Sequence, residues 1–127
     1  MNAIAQGAPE QKPEPTTLID VQTMRETAAR LLAEDAELPS PEELENLTLL
    51  LRGMIMVSIP EVETAAGKLP EDDVPRACAL ACIGEARMRL RLETSNGTFP
   101  AAVAHAQRLA RSVRALTDHY VNLGGAE

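Results

Sequence analysis

The sequence predicts an all-α protein, an antiparallel up-and-down four-helix bundle that follows a disordered N-terminal arm. Of its 127 residues, 45% are apolar but only 2% are aromatic. Ala and Leu supply most of the apolar mass, which favours helices over strands and argues against an all-β sandwich or an aromatic ligand cage. Apolar residues recur at the spacing of one helix face in four segments, and the connections between these segments are short enough for antiparallel neighbours.

The N-terminal arm is assigned to residues 1–16. It contains Pro9, Pro13 and Pro15 and few large apolar side chains, so it lacks both helix continuity and material for a core. Residues 17–124 are predicted to form a single helical domain, because the length of the chain suits one domain. Residues 125–127 are treated as a tail.

The first helix is expected to begin near Asp20 and to end near Glu37, because Pro39 and Pro41 follow. Its predicted buried stripe has the i, i+3, i+7, i+10 spacing of an amphipathic helix and consists of Val21, Met24, Ala28, Leu31 and Leu32.

The start of the second helix has the clearest local signal. Ser40 suits the N-cap, Pro41 suits the first turn, and Glu43 is placed to close a capping box. Pro60 lies inside the same apolar run, so a kink or short break is expected between Val57 and Pro60. A complete break would give five helices, and an orthogonal arrangement is the other alternative to the bundle.

The third and fourth helices also have recognisable start and stop signals. Asp72 and Asp73 precede Val74-Pro75, and the third helix is expected to run to about Leu92. Thr98 is the predicted cap of the fourth helix, which Gly124 and Gly125 end. Its apolar side consists of Val103, Ala106, Leu109, Ala110, Val113, Leu116, Tyr120 and Leu123.

The charge of the chain is −7, which argues against nonspecific binding to nucleic acid or to anionic membranes. Residues 1–73 hold 15 acidic and 5 basic side chains, whereas residues 74–127 hold 4 acidic and 7 basic side chains. We therefore expect the two halves to neutralise each other when packed. No segment is long and apolar enough to span a bilayer, and no basic and apolar leader opens the sequence, so a cytoplasmic location is expected.

Two helices carry more apolar surface than a monomeric bundle needs, which predicts a homodimer interface or a contact with another helical protein. A close approach of two backbones would offset the cost of Gly53 in the middle of a helix. The predicted interface consists of Leu49, Gly53, Met56 and Val57 on the second helix and Ala77, Ala81, Gly84 and Met88 on the third. Central burial of the second helix within the monomer is the alternative.

Candidate polar chemistry is sparse, and we predict no catalytic residue, metal ligand or cofactor. Glu61, Glu63 and Glu85 are candidates for a polar pocket at the Pro60 kink, which would serve a small-molecule binder or accessory enzyme. Cys78 and Cys82 share a helix face but are better explained as small buried thiols than as half of a zinc site.

The fourth helix places Arg108, Arg111 and Arg114 three residues apart on its polar side. This pattern permits a nucleic-acid surface, but the net acidity and the lack of aromatic residues for stacking favour pairing with acidic helices and solvation. His105 and His119 lie about 21 Å apart along the same helix, so they cannot bind one ion together. Surface histidines are the expected explanation.

Five segments carry a resemblance to a known family. They are Arg25–Leu32, Leu38–Leu44, Ile59–Glu63, Pro75–Cys82 and Ala104–Arg111. Across residues 18–123 the chain resembles a family of small actinobacterial proteins of unknown function, commonly labelled natural-product biosynthesis proteins. The resemblance implies a small helical cytosolic protein, and it implies no catalytic or binding residues.

The function expected from these observations is a non-enzymatic helical interaction module. We predict a homodimer that is accessory to, or regulates, natural-product biosynthesis. The small-molecule site near Pro60 and a nucleic-acid-associated regulator that uses the arginines of the fourth helix are the alternatives.

Overall fold

The computed structural model describes residues 19–92 and 97–125. Four α-helices make up this part of the chain, and the predicted all-α bundle is confirmed. The helices are α1 (Val21–Leu32), α2 (Pro41–Gly67), α3 (Val74–Arg91) and α4 (Phe99–Asn122). All of the predicted arm and part of the predicted tail lie outside the described residues.

Side-chain caps start all four helices. Asp20 accepts from the Thr23 amide at 3.0 Å, Ser40 from Glu43, Asp73 from Arg76 and Thr98 from Ala101. The bond from the Thr23 amide also lowers the pKa of the Asp20 carboxyl. Each cap satisfies one of the amide groups that have no partner at a helix start, so the sequence defines these four starts locally.

Helix α1 ends earlier than predicted, at Leu32 rather than near Glu37. Arg30 explains the difference. Its guanidinium donates to the Glu37 carbonyl at 2.7 Å and to both carboxylate oxygens of Glu43, at 2.8 and 2.9 Å. These bonds keep the segment after Leu32 next to the Arg30 side chain. Because Glu43 binds Arg30, its carboxylate does not close the capping box expected with Ser40.

Helix α2 continues through Pro60, so of the two expected outcomes, a kink or a short break, the break is ruled out, and the described part of the chain does not form five helices. Pro60 lies on the exposed side of α2. The carbonyl four residues earlier, which loses its amide partner there, is on the same wet side and can bind water instead.

The four helices pack as a bundle with α2 and α4 at its centre. Helices α1 and α3 lie on opposite sides of this pair and, among the described residues, do not contact each other. Arg25 binds Asp118 at 2.9 Å, which places the start of α1 beside the end of α4. The central seam is filled by side chains at most 1% exposed, among them Leu51, Ile55, Val62, Ile83, Leu109, Val113 and Leu116.

Charge pairing between the two halves is present at two places. Among the ion pairs of described residues, Glu63–Arg87 joins an acid of the first half to an arginine of the second at 2.9 Å, and Arg25–Asp118 joins the halves in the opposite sense. Arg30–Glu43 and Glu85–Arg89 lie within one half each. The expected neutralisation therefore accounts for part of the ion pairing between these helices.

Candidate functional site

The outer side of α2 and α3 carries a set of exposed apolar and small residues, which we call the apolar face. Leu49 is 65% exposed, Met56 57% and Met88 54%, values unusual for side chains of this size in a packed bundle. The face comprises Leu49, Leu50, Gly53, Met56 and Val57 on α2 and Ala77, Leu80, Ala81, Gly84 and Met88 on α3.

The two rows of the apolar face lie on neighbouring helices. Helices α2 and α3 are in contact, and the Glu63–Arg87 ion pair joins them directly. Glu63 is seven residues after Met56 on the same side of α2, so the α2 row continues toward this ion pair.

Gly53 and Gly84 are the smallest members of the apolar face. A Cβ atom added at either position meets no atom of residues 19–92 and 97–125 within 4 Å. The fold of the monomer therefore gives no packing reason for glycine at two mid-helix positions, each of which costs about 1 kcal/mol relative to alanine. The space above both backbones is open.

The three glutamates proposed for a polar pocket have different surroundings. Glu61 lines a cavity of about 180 Å³ with Tyr120, and neither Glu63 nor Glu85 lines that cavity. Glu63 binds Arg87, and Glu85 is 61% exposed with Arg89 at 3.8 Å. The structure does not bring the three carboxylates to one cavity.

Arg108, Arg111 and Arg114 are all exposed on α4. Within residues 19–92 and 97–125 none of the three forms an ion pair. The row is thus a free cationic strip on a chain of net negative charge. It is flanked on α3 by Arg89, which donates to the Arg108 carbonyl at 3.0 Å and to Ser112 Oγ at 2.9 Å.

The two cysteines differ in environment. Cys78 is exposed, so the expectation that both thiols are buried is wrong for this residue, which lies on the outer side of α3. Burial raises the pKa of the half-buried Cys82 thiol, and nearby Glu85 raises it further. The described residues hold no cluster of three or more His, Cys, Asp or Glu side chains able to bind a metal.

A second concave site lies where α2 and α4 begin, and we call it the N-terminal groove. Its volume is about 650 Å³. Leu44, Leu49, Phe99 and Ala102 form its apolar walls, and Glu42 and Glu45 supply two exposed carboxylates. The sequence did not predict this groove, because it depends on how far each helix extends in the assembled bundle.

His105 lines the N-terminal groove and is only 7% exposed, so the prediction of a surface histidine is wrong. Burial lowers the pKa of its imidazole below the ordinary 6.5, and the nearby Arg108 and Arg52 lower it further. No hydrogen bond joins the imidazole to another described residue. A usable signal was present, since His105 shares the 105, 109, 112, 116 stripe with buried Leu109 and Leu116.

No helix in the described part of the chain combines the length and hydropathy that crossing a membrane requires. The model of a family of unknown function, DUF6415, matches residues 22–125, which include nearly all of the four helices. Comparison with curated proteins gave no match, and comparison with solved structures gave none. The match agrees with the resemblance to a family of unknown function that the sequence suggested.

Proposed function

Because the chain belongs to DUF6415, a family of unknown function, we propose its function from its surface: a non-enzymatic module that forms a homodimer through the apolar face. The observation that carries this proposal is the exposure of Leu49, Met56 and Met88 on the neighbouring helices α2 and α3. Apolar surface of this kind is stabilised when a partner removes it from water, by about 25 cal/mol for each Å² buried.

Three features of the apolar face support a second copy of the chain as the partner. The two open glycines allow helices to approach closely, as small residues do at helix interfaces. No charged side chain interrupts the row Leu49, Gly53, Met56. Exposed side chains of both signs flank the face, including Glu45 on α2 and Arg91 on α3. A two-fold axis would place α2 of one copy against α3 of the other and bring opposite charges together.

The test is the oligomeric state of single variants. Met56→Glu places a charge in the centre of the apolar face and is expected to convert the dimer to a monomer in sedimentation equilibrium. Leu38→Glu is the matched control, because Leu38 is 70% exposed but lies between α1 and α2, away from the face. Wild-type protein that stays monomeric at tens of micromolar contradicts the proposal, as does a Met56→Glu variant that still dimerises.

The chain resembles proteins labelled as natural-product biosynthesis proteins. This resemblance supports a cytoplasmic role for the dimer, as an accessory to such a pathway or as its regulator. Another helical protein of the same pathway is the alternative partner. Mixing a purified candidate partner with the wild type and with Met56→Glu distinguishes the two cases, since a heteromeric contact through the apolar face is lost in the variant while the wild type alone remains monomeric.

The cationic strip of Arg108, Arg111 and Arg114 favours a second candidate, a nucleic-acid-associated regulator. Three exposed arginines without acidic partners among the described residues can contact phosphates in one groove. The test is the mobility of duplex DNA at low salt with the wild type and with a triple Arg→Gln variant. Unchanged mobility with the wild type contradicts this candidate and leaves the dimer proposal standing.

A further inference from the structure

The N-terminal groove lies where α2 and α4 begin, and α3 is shorter than both of these helices. Helix α3 has 18 residues, whereas α2 has 27 and α4 has 24. Arg89, in the last turn of α3, contacts Arg108 and Ser112. Helix α3 therefore ends beside the third turn of α4, and in the described part of the chain it does not reach the first turns of α2 and α4.

The deep end of the groove holds a polar group that has no hydrogen-bond partner among the described residues. His105 is 7% exposed, and its imidazole makes no hydrogen bond to another described residue. Buried polar groups in folded proteins nearly always have a partner, so an imidazole that lines an open groove without one is a position for a ligand group. A neutral imidazole offers one donor and one acceptor.

The charges around the groove determine which end of a ligand goes where. Glu42 and Glu45 lie three residues apart on the same side of α2, line the groove and form no ion pair with any described residue. Arg52 and Arg108 lie near His105. A cation is therefore favoured at the rim and disfavoured at the deep end, where a neutral hydrogen-bonding group is the better fit.

We propose that the N-terminal groove binds a small amphipathic amine. Its ammonium group lies at Glu42 and Glu45, its apolar body packs on Leu44, Phe99 and Ala102, and a hydroxyl group at its other end hydrogen-bonds to His105. This inference goes beyond the proposed dimer and does not depend on it. Leu49 belongs to both the groove and the apolar face, so the binding test is repeated in the monomeric Met56→Glu background.

The test uses three probes that differ by one group each: tyramine, 2-phenylethylamine, which lacks the hydroxyl, and tyrosol, in which a hydroxyl replaces the ammonium. Amide chemical shifts are followed by NMR during titration near neutral pH. Tyramine is expected to shift the resonances of Thr48, Phe99 and Ala102, with a dissociation constant on the order of 1 mM for a ligand this small. Tyrosol is expected to bind roughly threefold more weakly and 2-phenylethylamine about fivefold more weakly.

Variants then assign each loss to its residue. Glu42→Gln with Glu45→Gln is expected to make tyramine and tyrosol bind equally, and His105→Phe to make tyramine and 2-phenylethylamine bind equally. The control is Glu85→Gln, an exposed carboxylate on α3 outside the groove, which is expected to leave all three affinities unchanged.

Three results would overturn the proposal: no shifts in the groove at millimolar tyramine, shifts confined to another surface, or equal affinities of the three probes for the wild type. The comparison of probes needs no variant, so a His105→Phe protein that fails to fold does not weaken the test. The glutamate variants alter exposed side chains and are expected to fold as the wild type does.

Discussion

Replacing Gly53 by alanine separates the two roles that a mid-helix glycine can have. In the described part of the monomer the added methyl group meets nothing within 4 Å, so the substitution changes only the backbone preference. Alanine is about 0.8–1.0 kcal/mol more favourable than glycine in a helix interior. The free energy of unfolding of the monomer is therefore expected to rise by about that amount, and its Tm by about 4 °C for a chain of this length.

The same methyl group has the opposite effect on a dimer in which two backbones meet at Gly53. Overpacking a close contact costs typically about 1–3 kcal/mol, which weakens dimerisation at least about fivefold. The assay combines urea unfolding at a concentration where the protein is monomeric with sedimentation equilibrium at tens of micromolar. We expect a more stable monomer and a weaker dimer from one substitution.

Gly67→Ala is the matched control for Gly53→Ala. Gly67 is also in α2, and a Cβ there also meets nothing within 4 Å, but it lies fourteen residues away, about 21 Å along the helix. Its substitution is expected to leave the dimer unchanged. If the Gly53→Ala monomer is less stable than the wild type, the space above Gly53 is not open. If the dimer of the variant has the wild-type affinity, two backbones do not approach closely at Gly53.

Three further predictions concern side chains elsewhere in the bundle. The pKa of His105 is lowered in the folded state, so as the pH falls the unfolded chain protonates this imidazole before the folded protein does. The free energy of unfolding should therefore decrease as the pH drops below about 7. In urea unfolding, a His105→Gln variant should lack this part of the pH dependence. Arg30→Gln is expected to cost about 1 kcal/mol in urea unfolding, because its half-buried guanidinium joins α1 to α2 and to the turn between them, while Arg111→Gln should cost nothing measurable. Iodoacetamide should alkylate Cys78 before Cys82, as peptide mass mapping can show, since burial raises the pKa of the Cys82 thiol; equal rates would contradict the assigned burial.

Local sequence signals predicted the fold because the features involved are local. Ser40, Asp73 and Thr98 cap the helices that they were expected to cap, since a cap needs only a side-chain oxygen three residues before an amide. The end of α1 was predicted wrongly, and the choice between a kink and a break at Pro60 was left open. The end of α1 depends on the bonds of Arg30 to Glu43 and to the Glu37 carbonyl, which the local pattern does not contain. The continuity at Pro60 depends on the exposure of this side of α2 to solvent.

The sequence by itself determined the helix starts, the apolar stripes and the surplus of apolar residues on α2. These follow from spacing along one helix, which is independent of what packs against it. Only the tertiary structure decided the position of His105, which is buried beside α2, and the N-terminal groove, which lies where α2 and α4 begin. Burial and cavities arise between helices, so their positions depend on the lengths and directions of several segments at once.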